Sequence, residues 1–326
     1  MKGDPRSPGV LSEAGSPKSK TQGSIAFGYL LVALAAASWG TWPLILRTAE
    51  HLAPMPAAVE STILMLVIAV VTGPLVLRDR VREKATPGEW LGVAWLGVAD
   101  ALNALFFFMA YQRTSVAVAV LSHYLAPLFV AVAAPLLLRE RPSLNTYCAV
   151  GIAFIGLVLL LRPWEAAAHP TDAAGAAFGA ASAFFYASNV LANKRLSRAF
   201  SGSELMFFHC FVALPLLVAL VPRGAWGALD ARAAGIVALG SLGPGALAGL
   251  FFVWGLRRIE ASHASTLTLL EPLVAMLLGV AVYGERIGVG GLFGSALILG
   301  GAGMVMAMSR RAEEPGAADA RASKDD

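Results

Sequence analysis

Glu271 stands in the middle of an apolar stretch, Ser262–Gly288, that is long enough to cross a bilayer, since about 20 apolar residues suffice. A carboxylate at that depth costs roughly 2.5–3.5 kcal/mol on insertion scales. Three uses would account for it: carrying a proton, meeting a cationic group of a substrate, or accepting a structural hydrogen bond. Pro272 follows directly. It removes one backbone donor and loosens the helix at the same level.

Other polar residues recur at helical spacing inside apolar runs. Asp100, Asn103, Phe107 and Tyr111 stand at i, i+3, i+7 and i+11, and Ser182, Tyr186, Asn189 and Asn193 at i, i+4, i+7 and i+11. Each set makes one stripe of a helix. A polar stripe in a membrane should face protein or water, either gluing helices or lining a cavity. Asp100 has the same three uses as Glu271. His123, with Ser122 and Tyr124, precedes Pro127 at the level where Thr268 and Glu271 stand in a related stretch. It either packs or meets substrate and protons. Trp39, Trp42 and Trp254 either wall a cavity or pack; Trp42 also suits an interfacial anchor. Gly240-Ser241-Leu242-Gly243-Pro244-Gly245, followed by Gly249, should unwind or hinge its helix, or allow close helix packing.

The elements that must position these residues are apolar runs. Hydrophobic residues make up 57% of the chain and charged residues 14%, with mean hydropathy +0.67. A soluble domain carries about 25% charged residues, so the composition is that of an integral membrane protein. Ten runs lie at about 25–46, 56–77, 89–111, 115–138, 145–161, 175–193, 204–222, 233–256, 262–283 and 288–308, numbered here as spans 1 to 10. The expected fold is all-α, with a disordered tail at 1–24, five helices in 25–162, five in 173–308, and a second disordered tail at 309–326. Cys148 and Cys210 both fall in apolar runs and read as small buried hydrophobes. No Cys/His spacing suggests a metal site, and no cofactor is called for. No basic run is interleaved with aromatics, so nucleic acid is not an expected partner.

Ser262–Gly288 has a twin 145 positions earlier. Between Phe106–Arg141 and Phe251–Arg286, nine of 36 positions are identical, among them Pro127/Pro272, Glu140/Glu285 and Arg141/Arg286. Shared apolar composition does not explain a shared mid-helix proline followed by a shared Glu-Arg, which marks an internal duplication. With the amino terminus inside, 19 of the 25 basic residues fall on the cytoplasmic side and six on the other. By the positive-inside rule both termini are expected in the cytoplasm. Five is odd, so the halves enter the membrane in opposite senses, an architecture that recurs in secondary transporters.

The mid-helix L-x-P turns and terminal Glu-Arg pairs of spans 4 and 9 resemble the EamA domains of the drug/metabolite transporter superfamily. The residues are Tyr124-Leu125-Ala126-Pro127 with Leu138-Arg139-Glu140-Arg141, and Leu270-Glu271-Pro272 with Tyr283-Gly284-Glu285-Arg286. The resemblance covers about 27–308. It implies a ten-helix basket with a central cavity lined by spans 1, 3, 4, 6, 8 and 9, and movement, often export, of amino acids or related metabolites. Glu60 departs from the pattern, since many relatives carry a basic residue there.

The expected function is secondary transport of small metabolites across a bacterial plasma membrane by alternating access, with lipid, a small-molecule substrate and protons as partners. The substrate or coupling residues are Glu271, Asp100, Asn103, His123, Tyr124, Tyr186, Asn189, Thr268, Trp39 and Trp254, with Pro127, Pro272 and Pro244 as hinges. The alternatives are a membrane-embedded enzyme on lipid-linked substrates, or a channel or scaffold. No His-Glu-x-x-His, Gly-x-Ser-x-Gly or phosphate-binding loop is present. An enzyme would need polar residues clustered at one interface, whereas here they lie at mid-span in both halves.

Overall fold

The structure is a computed structural model that describes residues 17–79, 85–165, 171–284 and 288–312. Glu285 and Arg286 of the expected second Glu-Arg pair lie outside the described residues, as do 1–16 and 313–326 of the expected tails. Ten helices are long and apolar enough to cross a membrane: Ile25–Glu50, Ala57–Val76, Pro87–Tyr111, Val116–Leu137, Leu144–Glu165, Asp172–Leu196, Gly202–Leu220, Ala231–Leu256, Ala261–Tyr283 and Val289–Met308. The described residues contain no strand.

The first helix begins at Pro17, inside the stretch 1–24 expected to be disordered. Proline is tolerated there because the first-turn N–H groups have no intrahelical partner. Once nucleated by the apolar span, a helix adds polar residues at little further expense, which a composition reading overlooks. The last helix likewise runs on to Ala312.

Five spans are interrupted, and each interruption has a local cause. Span 1 stops at Trp39 and resumes at Trp42, with Pro43 unable to donate back to Trp39. Spans 4 and 9 break between His123 and Ala126 and between Leu267 and Leu270, just before Pro127 and Pro272. Span 7 breaks at His209, whose Nδ1 competes for the Leu205 carbonyl at 2.8 Å. Span 8 widens into a π-helical turn, Ser241–Leu247, around Pro244, so the expected unwinding takes this form.

The halves interlock rather than stand side by side. Span 1 packs on spans 8 and 9, while span 6 packs on spans 3 and 4. Span 2 lies against spans 7 and 8, span 7 also against span 3, and spans 5 and 10 pair with each other. Every one of these relations survives exchange of the two halves, as a pseudo-two-fold arrangement requires. Cys210 is buried, but Cys148 is exposed on span 5, contrary to the expectation that both are buried. Membrane helices present apolar side chains to lipid as readily as to the core, so hydropathy alone does not separate the two faces.

Candidate functional site

The interlocked halves leave a cavity of about 150 Å³ lined by residues near the middle of their spans. Spans 1, 3, 4, 6, 8 and 9 line it, but so do spans 2 and 7, through Leu64, Met65, Ile68, Met206 and His209. Trp39, Phe107, His123, Tyr124, Tyr186 and Phe252 form an aromatic wall, with Trp39 and Phe252 centroids 5.2 Å apart and His123 and Tyr186 5.4 Å apart. Trp42 is buried in the same lining and is no interfacial anchor.

Two polar chains cross the wall. In one, the Asn193 amide donates to Asn189 Oδ1 at 2.8 Å and the Asn189 amide to Asp100 Oδ1 at 2.9 Å. Asp100 Oδ2 lies 3.0 Å from His209 Nε2. In the other, the Ser182 hydroxyl donates to Asn103 Oδ1 at 2.9 Å, and His123 Nδ1 lies 2.8 Å from the same hydroxyl. Both stripes read from the sequence thus meet, span 6 against span 3. His209 is the residue that sequence reasoning missed. A lone histidine in an apolar run carries no signal until its partner helix is known.

Glu271 faces the cavity from span 9, beside the buried Tyr124 and Thr268. Pro272 has no N–H to give the Thr268 carbonyl, which accepts from the Glu271 N–H at 2.9 Å and also from the Tyr124 hydroxyl at 3.3 Å. Span 1 comes close here because residue 40 is glycine. A Cβ at Gly40 would lie 2.7 Å from the Glu271 carbonyl oxygen and 2.7 Å from Val274 Cβ. Of the expected hinges, Pro244 lines the cavity. Trp254 does not: its half-buried indole covers Gly202 and sits beside Phe251.

A second cavity of about 290 Å³ shares Trp42, Phe107, Tyr124 and Glu271 with the first and is bordered by Pro272. It runs to the ends of spans 1, 3 and 9, where Arg47, Tyr111 and Tyr283 stand, the Arg47 guanidinium 4.9 Å from the Tyr283 ring centre. On the opposite face Glu140 joins the two halves, while Lys194 and Arg257 tie together segments of the second half. Glu140 accepts from the Ala261 N–H at 3.0 Å, Lys194 donates to the Leu256 and Ile259 carbonyls, and Arg257 donates to the Phe200 carbonyl. Burial holds the Glu140 carboxyl above its ordinary range, against the opposing pull of the Ala261 N–H and Lys194.

The model of the EamA-like transporter family matches residues 26–162 and again 173–307. The chain belongs to that family. It is 31% identical over 232 residues to an uncharacterized transporter of Archaeoglobus fulgidus, covering 70% of this chain and 78% of the relative. It is 26% identical to an uncharacterized transporter of Bacillus subtilis, covering 86% of this chain and 94% of the relative. A solved structure titled only as a crystal structure of protein superposes with TM-score 0.68 at 21% identity, over 87% of this chain and 98% of the other, which speaks to the fold alone. The chain is a multi-pass membrane protein of a transporter family, and its two EamA-like halves are the two sequence copies.

The EamA-like chamber draws on both halves at every level. Asp100, Asn103, His123 and Tyr124 come from the first and Tyr186, Asn189, Thr268 and Glu271 from the second. Glu60, the departure noted in span 2, is buried at 3% exposure but is not part of either cavity wall. Among the described residues no group of three His, Cys, Asp or Glu could hold a metal ion.

Proposed function

We propose that the protein is a secondary transporter that exports small metabolites, amino acids or related amphipathic compounds, across a bacterial plasma membrane by alternating access. The observation that carries this reading is the mid-membrane chamber. Its wall is aromatic and apolar apart from a few converging polar groups, the composition of a small-molecule site. Asn103, Asn189, Thr268 and Tyr186 supply hydrogen bonds, Trp39 and His123 supply ring faces, and Glu271 supplies the charge that meets a cationic group. The prolines in the first turns of the resumed helices, Pro127 and Pro272, together with Pro244, are the hinges about which the halves rock.

The positive-inside bias supports cytoplasmic termini. The Glu140–Ala261 face then lies inside and the Arg47 end outside. A cytoplasm-only reporter fused after Arg310 should be active and one within 162–171 silent; activity at both would overturn the orientation. For transport, proteoliposomes are loaded with an amino-acid mixture and efflux is followed with and without an imposed pH gradient. Saturable efflux of particular compounds is expected. Efflux no faster than from empty liposomes overturns the reading.

A further inference from the structure

His209 and Asp100 meet in a way that fixes where one proton must be. His209 Nδ1 lies 2.8 Å from the Leu205 carbonyl, which can only accept, so Nδ1 carries a hydrogen. Nε2 lies 3.0 Å from Asp100 Oδ2. A neutral imidazole with its hydrogen on Nδ1 presents a lone pair at Nε2, and an ionised carboxylate presents lone pairs as well. Two acceptors do not rest at that separation without a proton between them. Asp100 cannot turn away freely, because its other oxygen accepts from Asn189 at 2.9 Å, and Asn189 is itself held by Asn193.

The backbones are arranged for this contact. A Cβ at Gly97, one turn before Asp100, would lie 2.4 Å from the His209 carbonyl oxygen, so span 3 reaches span 7 only because residue 97 is glycine. His209 is 2% exposed yet borders the chamber, and Asp100 is about one-fifth exposed into it. The titratable groups facing His209 are Asp100 and Cys210. Cys210 Sγ donates to the Met206 carbonyl and lies 3.8 Å from Nε2. Span 2, packed on span 7, lines the chamber there with Leu64, Met65 and Ile68, none titratable. Glu271, His123 and Tyr186 border the same chamber from spans 9, 4 and 6.

We propose that Asp100 and His209 together hold one exchangeable proton, and that this pair is the protonation site of the transport cycle, leaving Glu271 for the cationic group of the substrate. The second half of the proposal rests on the transporter reading; the first does not. Release of the proton breaks only the N–H or O–H bond that holds it: the electron pair stays on His209 Nε2 or the Asp100 oxygen, and the proton passes to solvent entering the chamber. It leaves a carboxylate facing an imidazole lone pair, so spans 3 and 7 must separate or re-pair, which ties proton release to helix movement.

The test has two arms. In the first, full-length protein labelled at histidine nitrogens and aspartate carboxyls is placed in lipid nanodiscs and followed by NMR from about pH 5.5 to about pH 9.5, a range chosen around the titration of histidine. The expected result is a proton on His209 Nε2 or on the Asp100 carboxyl at the acidic end, lost from both signals in one shared step. Asp100→Asn should turn His209 into the neutral form with its hydrogen on Nδ1. The proposal is overturned if His209 is neutral and Asp100 ionised throughout, or if the proton is never released in that range. The wild-type spectra decide this even if the variant misfolds. In the second arm, proteoliposomes carry the same amino-acid mixture. One proton per cycle should change the accumulation ratio about ten-fold per pH unit of gradient. His209→Gln should lose that response, and an unaltered response overturns the coupling. Absence of any wild-type flux would sink the transporter reading and leave the NMR result standing.

Discussion

Spans 4 and 9 are copies of one stretch, and both break just before a proline, yet the breaks are finished differently. In span 9 the carbonyl of Thr268, which accepts from the Glu271 N–H, also takes the hydroxyl of Tyr124 from span 4. The twin of Tyr124 is Leu269, which has no hydroxyl to return. Glu271 faces the chamber where its twin is the buried Ala126. Gly40 brings span 1 against the Glu271 backbone. Duplication therefore kept the break in both halves and concentrated the polar chemistry at one of them. On the proposed transporter reading a break can be symmetric because rocking uses two equivalent hinges, whereas a charge need not be, because one substrate group needs one partner.

Six substitutions break or sharpen this contrast. Gly40→Val should have the largest effect. Its branched side chain would collide with span 9 backbone, and overpacking costs about 1–3 kcal/mol even where neighbours can shift. The expected outcome is reduced membrane yield and lower thermal stability of the purified protein. A wild-type melting profile would mean that span 1 does not fix the break.

Glu271→Gln keeps shape and hydrogen bonding but cannot ionise. Proteoliposome flux of cationic or zwitterionic substrates should fall about ten-fold or more, the loss of roughly 1.4 kcal/mol of charge interaction, with unchanged melting temperature. Introducing a carboxylate at the twin, Ala126→Glu, should not restore it. Wild-type flux in the Gln variant from about pH 5.5 to about pH 8.5 would leave Glu271 a structural residue.

Pro127→Ala and Pro272→Ala restore an N–H and should slow turnover several-fold, on the order of 1 kcal/mol in the barrier, while binding of substrate, read by tryptophan fluorescence, changes less. The two effects should be similar, since both prolines stand in the first turn of a resumed helix at matching positions of the repeat. Unaltered turnover in both would reduce them to packing residues. Tyr124→Phe should be mildest. It removes one interhelical hydrogen bond, worth about 0.6 kcal/mol in membranes, and should lower stability slightly with flux reduced no more than about three-fold. A larger loss would show that the phenol also acts on Glu271, beside which it lies.

The helix count, the duplication, the mid-span carboxylates and the paired prolines were legible in the chain, because hydropathy, spacing and backbone chemistry are local properties. Lipid turns them into a strong constraint: a polar group at depth must find protein or water. The stripes on spans 3 and 6 were visible for the same reason, since each lies on a single helix.

What only the tertiary structure decided is which helix meets which. His209 became chemically meaningful when span 7 closed on Gly97 and set its ring against Asp100. Trp254, equal to Trp39 by composition, packed over Gly202 instead of entering the chamber. The entry of spans 2 and 7 into the cavity wall follows from side-chain contacts between distant segments. Periodicity within one helix assigns a face, but hydrophobic pressure does not choose a partner for that face in lipid. Close packing of small residues and the satisfaction of a few polar atoms make that choice, and both are properties of pairs of helices.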